Sequence, residues 1–454
     1  MEITQMGRIS SGLRGYGSQV SNEGWPEVSN EEAELIVEEQ ANDLAAADAE
    51  LDEVYRLQDV ADKTEETADY IEQGINQKED GATEGEVALA EQVADLATAG
   101  SDESAETVMP AVESYIGSKV STEGFREVVR NIIETIKRMI KKIIERLKSF
   151  WRKMTSRLSA LKRSAEDLKK RAGGMTGKHS KEKKFEVSGS VARLISYADK
   201  PVKNGAELVS GLRDINGALN SLATKYCPEV AKIGEKLADS LNSFDPEDAK
   251  DGLKKLNGHI HTMFKNMSKD ADADKSSSDS RFSSKDTKLT ESDPILGGKT
   301  IFCSTWSGSV DGDSRDFARR LQSSTVFMAD TKKDQKDPEE ASLDVLTPAQ
   351  VVDIAEEVIR GCETMKRYTE GKGLKDMEKA GENVRKAADK IGSRKVDEDK
   401  VNQENQSCTR LAVQYGSSYV TWTKEPYTAF TAHSCAVFRA AMAAGSKALS
   451  QYEA

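Results

Sequence analysis

The sequence predicts a mainly α-helical protein: a long basic amphipathic helix, a helical bundle-like body holding a small β-ribbon, and an acidic, weakly structured N-terminal arm. Three observations lead there. Apolar residues recur at spacings of three and four from Phe125 to about Arg171, which is the helical period. The net charge changes sign where that stretch begins. Beyond it, strong helix-start signals stand beside two short β-like runs.

The long helix is read from Phe125, Val129, Ile132, Ile136, Met139, Ile143, Leu147, Phe150, Met154, Leu158, Leu161 and Leu168 on one side. The other side is nearly all Lys and Arg, with Lys137, Arg138, Lys141 and Lys142 at its centre. No Pro breaks the pattern, and Gly173-Gly174 supplies the stop. Such a helix has three readings. It packs its apolar face in a bundle and shows its lysines to water. Its basic face meets nucleic-acid phosphate, with those four residues as candidate contacts, since phosphate contact needs charge density rather than a base-reading motif. Or it lies on an anionic membrane, because a basic amphipathic helix with Trp and Phe is also the interfacial pattern.

Residues 1–123 hold 30 Asp and Glu against 6 Lys and Arg, a net charge of −24. Residues 124–454 hold 59 Lys and Arg against 48 Asp and Glu, a net of +11, and residues 124–184 alone hold 20 against 6, or +14. An acidic arm thus precedes a basic body, and the two halves attract each other or the acidic half screens the body from a polyanion. The arm has no Phe and no Cys and little to build a core from. Helical composition at 31–75, 86–96 and 106–115, weakly apolar, suits it to lie against a partner or to be dispensable more than to build a core.

A length of 454 residues suggests two or three domains. The expected divisions are the arm (1–123), the basic helix region (124–184), a helical domain (185–267), a Ser/Asp-rich linker (268–293) and a second helical domain with the β-ribbon (294–454). Cys227, Cys303, Cys362, Cys408 and Cys435 are odd in number and irregularly spaced, which fits a reducing compartment better than a disulfide framework or a zinc site. No apolar run reaches the ~20 residues of a membrane span, and Met1–Met6 lacks the pattern of a secretory signal.

Within the body, Asp245-Pro246-Glu247-Asp248 reads as a helix start with Asp245 as cap. Thr300–Cys303 and Thr325–Met328 read as an antiparallel pair. Leu346-Thr347-Pro348-Ala349-Gln350-Val351 is a capping box with Pro at the first helical position and a Leu346–Val351 staple. Two helices close the chain, one with Leu411, Tyr415, Tyr419 and Trp422 on a face, the other following Pro426.

No catalytic residue, metal ligand set or cofactor site emerges. Gly297-Gly298-Lys299-Thr300 resembles the end of a phosphate loop, but Asp293 stands where its first glycine belongs and a strand follows it. His259 and His261 are two apart, on different faces of a helix, without further ligands. His433 and Cys435 lack a third group and read as a partly exposed imidazole and a core thiol. A hydrolase or transferase hidden in the C-terminal part is the weakest of the classes considered.

The run Val120-Ser121-Thr122-Glu123-Gly124-Phe125 leading into the Ile- and Lys-rich helix resembles the internal head proteins of giant tailed bacteriophages of the phiKZ type. Leu296-Gly297-Gly298 before a strand, Leu346-Thr347-Pro348-Ala349 opening a helix, and Trp422 to Tyr452 approached through Lys424-Glu425-Pro426 carry the same resemblance, over roughly residues 120–454. It implies a non-enzymatic virion protein, made in the host cytoplasm and packed inside the capsid. Its implied partners are packaged DNA, other internal head proteins and a maturation protease. In such proteins a propeptide is removed after a small residue, any residue, then Glu. Ser121-Thr122-Glu123 fits, with Gly124 as the new N-terminus. The pattern recurs at Ser21-Asn22-Glu23, Ala82-Thr83-Glu84 and elsewhere. Glu123 stands out because charge reverses there and Gly124 offers an extended stretch just before the helix. The alternative is a host-directed protein ejected with the genome and acting on membrane through the amphipathic helix.

Overall fold

The computed structural model describes residues 122–175, 177, 179–267, 287–306, 317, 320–321, 323–331, 336–392 and 427–453, with positions 405, 408–409, 411–412, 415, 418–419 and 422–423 between the last two stretches. Some side chains inside helices, those of 122–144 and Leu147 among them, are outside this set. The acidic arm, its expected helices, Ser121 and the first half of the apolar stripe lie outside the described residues.

The long helix, α1, runs Thr122–Gly174, 53 residues or roughly 80 Å. Its stripe is buried where side chains are described: Phe150, Trp151, Met154, Leu158, Leu161, Ala165, Leu168 and Ala172. It ends at Gly173-Gly174 as the sequence indicates, in a turn closed by Met175 N–H donating to the Ala172 carbonyl at 3.0 Å. At the other end it starts three residues earlier than expected. Glu123 and Gly124 are in its first turn, so the extended stretch expected at Gly124 is helical. A carboxylate near a helix N-terminus is favourable, and a glycine there costs little because the first turn lacks carbonyl partners for its N–H groups anyway.

After a short break, β1 (Lys184–Ser188) leads into α2 (Gly189–Leu194) and a two-residue hairpin of β2 (Ser196–Tyr197) and β3 (Lys200–Pro201). Helix α3 (Gly205–Ser221) is capped by the Asn204 side chain, which accepts from Glu207 N–H at 3.0 Å. It passes through a wide π turn, Leu222–Tyr226, into α4 (Cys227–Asn242). Pro228 explains the widening: it has no N–H for the carbonyl four residues back, and its ring crowds that carbonyl. Asp245 caps as expected, its Oδ1 accepting from Glu247 N–H at 3.0 Å over a short 3₁₀ turn, and α5 (Ala249–Met267) follows.

The ribbon strands pair antiparallel as β5 (Lys299–Trp306) and β6 (Thr325–Asp330), with Phe302 opposite Phe327 and their rings stacked 5.3 Å apart. They have a third partner. β4 (Thr287–Glu291) pairs with β5, so the end of the expected linker is a strand with Leu289 and Thr290 buried. One apolar residue among five hid it. β7 (Glu340–Asp344) pairs with β1 across more than 150 residues, placing Phe185 opposite Leu343 and Val187 opposite Ala341, all four buried.

Helix α6 (Pro348–Glu370) opens on the capping box: Gln350 N–H donates to Thr347 Oγ1 at 3.2 Å and Thr347 N–H to Gln350 Oε1 at 2.9 Å. Leu346 and Val351 are both fully buried. Helix α7 (Lys372–Gly392) was not anticipated, because small residues make up much of its buried side: Met377, Ala380, Val384, Ala387, Ala388, Ile391. The described positions between 405 and 423 are helical, with Leu411, Tyr415, Tyr419 and Trp422 buried together as expected, and α8 (Tyr427–Glu453) closes the chain.

Leu289, Phe302 and Phe327 form a small separate cluster on the β4–β5–β6 sheet. Most of the buried side chains form one continuous core, from Phe150 on α1 to Leu449 on α8. The expected divisions 185–267 and 294–454 both contribute to it, joined by the β1–β7 pair and by α4 lying on α7. Helix α1 runs antiparallel to α6: Lys169 reaches Glu356 near the start of α6, and Trp151 meets Tyr368 near its end. Beside that end, Trp151 stacks on Tyr427 at 5.6 Å and meets Phe150 edge-on at 5.4 Å.

Candidate nucleic-acid interface and processing site

Docking on α6 divides the charges of α1 into two classes. On the flank, Lys148 Nζ meets Glu382 of α7 at 2.9 Å, Lys162 meets Glu363 of α6 at 2.7 Å, and Lys169 meets Glu356 of α6 at 2.8 Å. The hydrogen bond from Lys148 lowers the Glu382 carboxyl below its ordinary value, and the one to Glu363 raises Lys162. Exposed pairs of this kind each contribute little to stability, but they neutralise the lysines that make them. The crest, turned away from the body, carries exposed Arg152, Arg163, Asp167 and Lys170, the last two paired at 3.9 Å. Arg152 and Arg163 each donate Nε–H to the carbonyl one turn back, on Lys148 and Ser159, at 3.3 Å.

The four candidate phosphate contacts, Lys137, Arg138, Lys141 and Lys142, fall on helical backbone, and the i, i+4 spacing gathers them on one face. Their side chains lie outside the described residues. They stand about 20 Å along the rod from Gly124. Of the processing residues, Ser121 is outside the described set, and Glu123 and Gly124 are in the first helical turn. The counter-ions Glu356, Glu363 and Glu382 were not singled out from sequence. The seven-residue step from Glu356 to Glu363, two helical turns, was the available signal; Glu382 sits on the unanticipated α7.

Glu357, 4% exposed, accepts from Arg213 Nε at 3.1 Å, Arg360 Nη1 at 3.2 Å and Asn216 Nδ2 at 2.9 Å. All five cysteines are free and buried, and burial pushes the Cys435 thiol up to about 11, which suits a core thiol and not a nucleophile. His259 faces Ser240 Oγ at 3.1 Å, and burial lowers its pKa. His433 bonds the Leu296 carbonyl at 2.7 Å, and its ring fills the space where Gly297 would carry a side chain. Gly297 and Gly298, at φ +81 and +68, make the turn into β5 and donate both N–H groups to the Ser196 carbonyl. Among the described residues, no cluster of His, Cys, Asp and Glu could hold a metal ion.

Comparison with known families decides the identity. The family model of the phiKZ-like phage internal head proteins matches residues 46–447. The chain belongs to that family. The match begins inside the acidic arm, well before the stretch from about residue 120 that carried the sequence resemblance. No curated protein and no solved structure matches the chain. As an internal head protein it resides within the phage head, and among its described residues no helix is long and apolar enough to cross a membrane.

Proposed function

We propose that this internal head protein is a structural, non-catalytic component packed against DNA, made as an acidic-armed precursor and trimmed between Glu123 and Gly124 by the phage maturation protease. The reversal of charge at Glu123 carries this reading. The arm keeps the precursor off polyanions during assembly in the host cytoplasm. Its removal leaves a basic product in a capsid about to fill with one. The helical first turn at Glu123–Gly124 does not oppose cleavage, since terminal turns fray readily. Against the alternative of a membrane-active ejected protein stands the burial of the α1 apolar face from Phe150 onward.

Mass spectrometry of the protein from purified phage tests the trimming. Gly124 is expected as the first residue, with peptides from 31–120 missing. Recovery of those peptides at the abundance of the body would refute it.

A second measurement tests the DNA contact. The chain from Gly124 is expected to bind duplex DNA without sequence preference, with affinity falling steeply as salt rises. The full chain is expected to bind less well, because its tethered arm competes at an effective concentration on the order of millimolar. Replacing Lys137, Arg138, Lys141 and Lys142 with Gln should flatten the salt dependence. Equal affinity of the two chains at low salt would remove the arm from the account. Leakage of anionic vesicles without DNA binding would favour the membrane reading.

A further inference from the structure

We infer that the docked half of α1 meets DNA phosphate through its crest, at Arg152 and Arg163, and not through the flanking lysines of the same helix. The inference rests on the DNA reading above and adds the contacting residues. The exposed positions Arg152, Ser156, Ala160, Arg163, Asp167 and Lys170 follow one another at helical spacing, and Asp167 pairs with Lys170 at 3.9 Å, which leaves the two arginines as the cations of this line without a carboxylate among the described residues. The flank lysines already have partners: Glu382, Glu363 and Glu356 neutralise Lys148, Lys162 and Lys169 at 2.7–2.9 Å. Contact with phosphate there would have to break an ion pair for each one made.

Arg152 and Arg163 bear no such cost. Arg152 and Arg163 are exposed, and each guanidinium is held against the helix by the same Nε–H bond to a carbonyl one turn back. A planar guanidinium matches a phosphate better than an ammonium does. Between the two arginines, Ser156 and Ala160 keep the crest low, so a DNA strand can approach the helix closely. The arginines are about 16 Å apart along the rod, a length over which a duplex offers about ten phosphates.

The test compares two double variants that remove the same net charge and differ in which side of α1 they alter. One is Arg152→Gln with Arg163→Gln; the other is Lys162→Gln with Lys169→Gln. Both are made in the full chain and in the chain from Gly124, which contains every described residue of the continuous core. Circular dichroism melting confirms that each is folded. The readout is the salt dependence of duplex binding, which counts displaced counter-ions rather than the general field of the protein.

The arginine pair is expected to reduce the slope of log affinity against log salt by about 2, and the lysine pair to leave it unchanged. Equal reduction by both, or a reduction by the lysine pair alone, would overturn the inference while leaving DNA binding intact. Failure of the unaltered chain from Gly124 to bind would overturn the DNA reading itself, and this assignment with it.

Discussion

Trp151→Ala is expected to lower the stability of the body by about 3–5 kcal/mol, the range for deleting a buried large aromatic. The residue is 6% exposed and, with Phe150, is among the first buried side chains described along α1. Its indole stacks on Tyr427 and meets Phe150 and Tyr368 edge-on, so the variant loses ring contacts to α6 and α8 together with the buried area. Rigid helices on both sides prevent the gap from closing. Denaturant unfolding followed by circular dichroism checks it. A loss below about 1 kcal/mol would mean that α1 is held elsewhere along its length.

Mild acid is expected to weaken the fold through His433. Burial, with Lys299 and Arg193 nearby, pushes its pKa down to about 4 although the Leu296 carbonyl bond opposes the shift. An unfolded histidine titrates near 6.5. The folded value is the lower one, so the contribution is complete above about pH 6.5 and is lost as pH falls toward 4, where only the unfolded chain takes the proton. At pH 5 the loss is about 2 kcal/mol. Unfolding free energies at pH 7 and pH 5 measure it, with His433→Gln as reference. That variant should be less stable at pH 7 and should lose less on acidification. An identical loss in both proteins would place the acid sensitivity in other groups.

The parts of this fold legible in the sequence are those where local chemistry and packing agree. The period of α1, the Thr347–Gln350 box and the β5–β6 pair each have a short-range cause that tertiary structure only reinforces. What escaped reading depends on distant partners. β4 has one apolar residue in five and is a strand because β5 offers it an edge. β1 opens on a lysine after a charged break and is fixed by β7, far along the chain. In α7, alanines serve as core residues because α4 lies close enough to cover them, a proximity the sequence does not record. The candidate site follows the same division. The basic side of α1 was visible residue by residue, but the neutralisation of its flank arises only when Glu356, Glu363 and Glu382 are brought alongside.

The antiparallel seat of α1 on α6 also sets a timetable. Lys162 and Glu363 are 201 residues apart in the chain, and Met154 and Cys435 are 281 apart. At a synthesis rate of about 5–20 residues per second, α1 leaves the ribosome roughly 10–40 seconds before the helix that receives it exists. During that interval Lys162 lacks Glu363, Lys169 lacks Glu356, Lys148 lacks Glu382, and the apolar stripe has no core. The acidic arm, with its net charge of −24, is made ahead of it, and its charge suits a bare basic helix.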